Sequence, residues 1–225
     1  MQRLNIAIDG PAGAGKSTVA KAVAARLGIR YLDTGAMYRA MALWCLRQGV
    51  PVHDAKAVEA ALPAADIAVR YTDAGQRVLL FAEDVTDGLR APELAMAASA
   101  VSAHPAVRMR LTELQRQVAA QYDVVMDGRD IGTNVLTDTP YKFFLTASVR
   151  ERAKRRFEEM RARGQDAGTI EDMEREIAER DYNDSHRAFM PLRRADDAVL
   201  IDTTGMTVEA VAGEILRSVA GRRDG

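Results

Sequence analysis

Short apolar runs alternate with amphipathic stretches along most of the chain. Leu4-Asn-Ile-Ala-Ile8 reads as a buried strand, ended by the glycine-rich Asp9–Gly15. A helix is expected from Lys16 to Leu27, with Val19, Val23 and Leu27 on one stripe. Tyr31-Leu32-Asp33 ends a second strand, and Thr34 is expected to cap a helix over Gly35–Arg47. Further on, Tyr122–Met126 is a β-rich run that closes on Asp127-Gly-Arg-Asp130. Tyr141–Leu145 and Ala198–Ile201 supply two more strands. Helices are expected at Ala106–Ala120, Val149–Arg163, Glu171–Tyr182 and Val208–Val219. Apolar strands separated by helices imply a parallel sheet covered on both faces.

Residues from about Gly49 to Pro105 follow a different pattern. Ile67–Tyr71 and Arg77–Phe81 flank Thr72–Gln76 as a β-hairpin, and an alanine-rich helix spans Pro92–Ala103. The fold class expected is therefore α/β, with a parallel central sheet, three layers and an inserted subdomain. The core comprises residues 1–48, 105–148 and 195–225, and the insert residues 49–104. Residues 149–194 form a helical lid and C-terminal helices of the core.

Composition narrows the partners. With 31 Lys and Arg against 32 Asp and Glu, the net charge is −1, so no global positive field draws nucleic-acid polymers or anionic membrane. Cys45 is the single cysteine and cannot form an internal disulfide; its apolar surroundings, Met41–Leu46, predict a buried thiol. Charges interrupt every stretch that approaches membrane-spanning length, and Leu4–Ile8 is too short for a signal-peptide core. A cytoplasmic monomer is the expectation.

The chemistry concentrates in two places. Gly10-Pro-Ala-Gly-Ala-Gly-Lys-Ser17 satisfies G-x-x-x-x-G-K-[ST], after a strand and at the start of a helix. Gly10, Pro11, Ala12, Gly13, Ala14 and Gly15 curl so that main-chain N–H groups converge on an anion, with Thr18 just beyond. Lys16 can reach the β- and γ-phosphates of ATP, and the Ser17 hydroxyl can ligate Mg²⁺. Val124-Val-Met-Asp127 resembles a Walker B strand, whose Asp holds Mg²⁺ directly or through water.

A P-loop alone does not separate a kinase from a switch or a motor. The chain carries no guanine-reading N-K-x-D, and motors are usually longer than 225 residues. The arginines suggest a kinase. Residues 149–163 carry Arg150, Arg152, Lys154, Arg155, Arg156, Arg161 and Arg163, as a lid over ATP requires. Most of these are expected on a solvated face, paired with Glu151, Glu158 and Glu159; Arg155 is the first candidate for nucleotide contact. Arg39 and Arg129 are placed to grip an acceptor phosphate. A phosphate nucleophile is already ionised, so no general base is needed, and His53, His104 and His186 receive no role. The catalytic candidates are Lys16, Asp127, Arg129 and Arg155.

With these residues read, the chain resembles the bacterial cytidylate kinase family nearly end to end. The matching motifs are Ile8–Thr18, Leu32-Asp-Thr-Gly-Ala-Met-Tyr-Arg39, Asp127-Gly-Arg-Asp-Ile-Gly132, Glu179-Arg-Asp-Tyr-Asn-Asp184 and Asp202-Thr-Thr204. Phe81-Ala-Glu-Asp-Val85 and the helix after it resemble that family's enlarged NMP-binding insert. The resemblance implies a P-loop NTPase three-layer fold and γ-phosphoryl transfer from ATP, with Mg²⁺, to CMP or dCMP. It also implies that Arg39 and Arg129 grip the CMP phosphate. Ser99, Arg108, Asp130 and Arg187 would read cytosine, with Thr34 nearby, and Arg180 and Asp184 would hold the sugar and tolerate deoxyribose. Some relatives have Gly in place of Ser17, or Ser in place of Thr34. The rival readings are another small P-loop kinase, for UMP, AMP or shikimate, and a non-catalytic ATP-binding sensor. The insert and the Glu179–Asp184 motif argue against the first.

Overall fold

The computed structural model describes residues 3–162 and 164–223. The elements run β1 (Asn5–Asp9), α1 (Lys16–Leu27), β2 (Arg30–Asp33), α2 (Thr34–Arg47), α3 (Ala55–Ala61), β3 (Ile67–Thr72), β4 (Gly75–Leu80) and β5 (Glu83–Asp84). They continue with α4 (Pro92–Val101), α5 (Pro105–Gln121), β6 (Val124–Gly128), β7 (Lys142–Thr146), α6 (Val149–Ala162), α7 (Ile170–His186), β8 (Val199–Asp202) and α8 (Val208–Arg223). Arg163, counted among the lid arginines, lies outside the described residues.

Five strands form a parallel sheet in the order β2-β6-β1-β7-β8. The inner strands β1 and β6 lack polar alternation because both of their faces are buried. Ile6, Ile8, Val125 and Phe143 pack on one side against Val19 and Val23 of α1 and Val211 and Ile215 of α8. Ala7, Leu32, Val124 and Met126 pack on the other against Met37 and Met41 of α2 and Val107 and Leu111 of α5. Each large apolar side chain buried this way contributes roughly 1.5–3 kcal/mol. Parallel strands deliver their carboxyl ends to one edge, and β1 lies between β6 and β7, where the connections diverge. An α/β sheet builds its site at such an edge.

The segment between α2 and α5 carries a second, antiparallel sheet in the order β3-β4-β5. Leu94, Ala97, Ala98 and Val101 of α4 join the cluster beneath α2. Gln76 ties this sheet to the core, because its side-chain carbonyl accepts the Asp33 N–H at 2.7 Å and its amide donates to the Asp33 carbonyl at 3.2 Å.

Several local expectations are corrected. Thr34 does not cap α2: Asp33 does, accepting the Ala36 N–H at 2.9 Å. The shorter Thr34 hydroxyl instead donates to the Asp127 carbonyl at 2.7 Å. The hairpin is tighter than Thr72–Gln76, since Thr72 pairs with Gly75 and leaves Asp73 and Ala74 at the turn. Helix α3, capped by Asp54, was not foreseen, and α7 extends past Tyr182 to His186. Cys45 is buried.

Gly10 leaves β1 at φ +146°, and a Cβ there would lie 2.0 Å from the Leu145 carbonyl oxygen in β7. A rigid backbone atom cannot yield as a side-chain tip can. Gly10→Ala is expected to lower stability by about 3 kcal/mol, through overpacking and backbone strain together. Thermal unfolding checks this, and an unchanged melting temperature would contradict it.

Candidate active site

The loop after β1 ends at Gly15, whose left-handed backbone (φ 81°) caps the start of α1. Lys16 is only 5% exposed, and its ammonium donates to the Pro11 carbonyl at 2.6 Å. Burial, and next the Arg129 charge, push this ammonium below its ordinary pKa, while the Asp127 carboxylate opposes them. The Ser17 hydroxyl donates to Asp127 Oδ2 at 2.7 Å, and the Tyr31 hydroxyl donates to Asp127 Oδ1 at 2.8 Å. A hydroxyl and a carboxylate are hard oxygen donors, suited to Mg²⁺. No cluster of three or more His, Cys, Asp or Glu able to hold a metal occurs among the described residues. The Ser17–Asp127 pair supplies two such donors, and an ion held there would take its remaining ligands from substrate phosphates and water.

Arg39 projects from α2, with Nη2 2.8 Å from Asp33 Oδ2. Arg129 follows β6 and donates from Nε to Asp184 Oδ2 of α7 at 2.9 Å. Arg108 of α5, 2% exposed, donates from Nη2 to Asp130 Oδ1 at 2.6 Å. Arg187 Nη2 lies 3.6 Å from the same oxygen, and Arg187 Nη1 lies 3.6 Å from Asp184 Oδ1. Burial works to raise the Asp184 carboxyl, but Arg129, Arg180 and Arg187 outweigh it and hold it below its ordinary value.

Four nitrogens in this group are buried without a hydrogen-bond partner: Arg39 Nε, Arg108 Nε, Arg180 Nε and Arg187 Nη2. Burial and the neighbouring Arg129 push the Arg180 guanidinium down to about 10. Buried cations with unused donors are costly unless a ligand supplies oxygens. An anionic, hydrogen-bonding occupant would satisfy them.

One open cleft of about 1840 Å³ gathers the sequence candidates. It is lined by Ala12 to Thr18, by Thr34, Arg39, Ser99, Arg108, Asp127, Arg129 and Asp130, and by Arg155, Arg180, Asp184 and Arg187. Gly10 and Pro11 lie at the base of the loop, outside the lining. Arg155 sits beside the loop: a Cβ on Gly15 would be 3.7 Å from its Nη1. Glu151 and both oxygens of Thr203 hold that guanidinium in place.

Arg152 departs from the expected solvated face. It is 4% exposed, donates to the Ala147 and Ala12 carbonyls at 3.0 Å, and pairs with Asp181 at 2.6 Å. It therefore fastens α6 to the P-loop. Arg150 and Lys154 do make surface pairs, with Glu174 and Glu158. Sequence reasoning missed Asp9 and Tyr31. For Asp9, the available signal was an acid directly between a buried strand and the glycine loop; for Tyr31 there was none.

The family model described as cytidylate kinase matches residues 6–221. The cytidylate kinase of Caldicellulosiruptor bescii is 48% identical over 216 residues, covering 96% of this chain and 95% of that protein. The cytidylate kinase of Geobacillus thermodenitrificans is 51% identical over 218 residues, covering 97% of each. An uncharacterized protein from Eubacterium ventriosum superposes with a TM-score of 0.51 at 16% identity, over 98% of this chain and 99% of that one, a likeness of fold alone.

Proposed function

This chain belongs to the cytidylate kinase family, and from that premise we propose that it transfers the γ-phosphoryl of ATP to CMP or dCMP, giving CDP or dCDP and ADP. One observation carries the reading. The P-loop shares a cleft with an arginine cluster in which four buried nitrogens lack hydrogen-bond partners, so one end suits a triphosphate and the other a second anion.

The residues divide the work by position. Main-chain amides of the loop from Ala12 to Ser17 and the Lys16 ammonium hold the β- and γ-phosphates. Ser17 and Asp127 hold Mg²⁺, which neutralises charge on the phosphate oxygens when bound. Arg155, fixed by Thr203 and Glu151, presents a guanidinium to the transferring group. Arg39 and Arg129 hold the CMP phosphate, and its ionised oxygen attacks without a general base. Arg180 and Asp184 hold the sugar. The same reading takes the protein to act as a cytoplasmic monomer.

Ser99, Arg108, Asp130 and Arg187 read the base, with Thr34 nearby. Cytosine offers a donor amino group beside an acceptor nitrogen and carbonyl, and a carboxylate paired with arginines answers both kinds. Uracil places a carbonyl where the amino group stood, against Asp130, and is repelled. Asp130→Asn is expected to narrow the CMP-over-UMP ratio of kcat/KM by about tenfold or more. Steady-state kinetics with both acceptors measure it, and a preserved ratio would exclude this carboxylate as the reader.

An ADP-release assay with CMP, dCMP, UMP and AMP tests the whole reading. CMP and dCMP should be the best acceptors; faster turnover with AMP would overturn it.

A further inference from the structure

Asp9 takes no part in the steps above, yet it is buried between the two halves of the site. It ends β1, paired with Gly128 in the parallel register, and the P-loop begins at the next residue. Its side chain reaches the opposite way, toward the turn after β6. Oδ1 accepts the Ile131 N–H at 2.8 Å, and Oδ2 accepts the Gly132 N–H at 2.7 Å. These are the two amides that directly follow Arg129 and Asp130.

The turn at residues 131–135 is a single wide helical turn. Its later amides are satisfied locally, with Asn134 N–H donating to the Asp130 carbonyl at 2.9 Å and Leu136 N–H to the Ile131 carbonyl at 2.7 Å. The first amides of such a turn have no partner within it. One carboxylate serves both, in charge-assisted bonds that fix direction as well as distance. Packing is close here: a Cβ on Gly132 would lie 3.2 Å from the Lys142 side chain and 3.4 Å from Asp9 Oδ2.

Asp9 is only 4% exposed, and burial pushes its carboxyl up to about 7 although both backbone N–H groups favour the charged form. A buried carboxylate is a costly way to complete a turn. It is explicable where a binding constellation must be held within about half an ångström.

We propose that Asp9 is the positioning residue of the acceptor site: its carboxylate pins the Ile131 and Gly132 amides and thereby sets where Arg129 meets the CMP phosphate and Asp130 meets the base. The inference rests on the acceptor reading given above.

Asp9→Asn keeps the shape but turns one acceptor oxygen into an amide donor that faces a backbone N–H. The KM for CMP is expected to rise about tenfold, and the CMP-over-UMP preference to fall severalfold, as misplacement of binding groups does. Affinity for a non-hydrolysable ATP analogue should stay within about threefold, so that the loss falls on the use of CMP and not on the donor side. A folded variant with unaltered CMP KM and preference would overturn the proposal, as would an equal loss of analogue binding. If the variant does not fold, amide hydrogen exchange in the unmodified protein decides. Without CMP, the Ile131 and Gly132 amides should be protected, and exchange at unprotected rates would overturn the proposal. Failure of the unmodified protein to phosphorylate CMP would instead strike the acceptor reading, which keeps the two failures distinct.

Discussion

Lys16→Ala is expected to cut turnover of CMP by roughly a thousandfold, the scale seen when a key preorganised donor is removed. The ammonium is buried beside the loop and near Asp127, where low polarisability strengthens its action on a phosphate. The fold itself gains little from this charge. Because burial lowers the folded-state pKa below the unfolded value, the charged form is disfavoured by folding, a cost present at neutral pH and relieved as the pH rises above the folded value. A neutral side chain carries no such cost. The variant should therefore melt within a few degrees of the unmodified protein while losing activity. Single-turnover kinetics beside a thermal melt check both halves, and near-normal turnover would remove Lys16 from the mechanism.

Arg129→Ala should lower kcat/KM for CMP by roughly a hundredfold to a thousandfold, while ATP-analogue affinity changes by less than about threefold. Arg129 is oriented by Asp184, leaving its terminal nitrogens for a phosphate. Its removal also leaves Asp184 to Arg180 and Arg187, so the sugar-binding side is disturbed as well. Arg129→Lys should recover only part of the loss, because an ammonium cannot supply the planar fork. Titration of CMP at saturating ATP measures the effect, and unchanged CMP kinetics would reject the assigned role.

Much of the donor side was legible because it is written in contiguous residues. The strand, glycine loop and helix from Asn5 to Leu27 are one local unit, and α1 has the expected bounds of Lys16 and Leu27. Strand β6 begins two residues later than expected and extends through Asp127 to Gly128, since parallel pairing with β1 sets its length. Helix α3 went unseen because seven residues give fewer than two full periods of any helical pattern. Thr34 and Asp33 are both good caps, and only the Asp127 carbonyl, supplied by a distant strand, decides between them.

The acceptor side was legible only through resemblance. Ser99, Arg108, Asp130 and Arg187 belong to four segments that the fold brings to one cleft. No spacing rule joins them. The same holds for the Asp9 bonds, which span 122 and 123 residues of sequence, and for the Tyr31–Asp127 bond, which spans 96. Arg152 shows the limit within a single helix. An i,i+4 charge pattern marks α6 as charged, but not which arginine turns inward to hold the P-loop carbonyl.

The central claim is that two phosphate groups lie end to end, one on the P-loop and one on Arg39 and Arg129. A crystal structure with CMP and a non-hydrolysable ATP analogue tests it most directly. The CMP phosphate should be bonded by both guanidinium groups, in line with the γ-phosphate, with Asp130 against the cytosine amino group. A CMP phosphate bound elsewhere, or density absent beside Arg39 and Arg129 at saturating CMP, would contradict it.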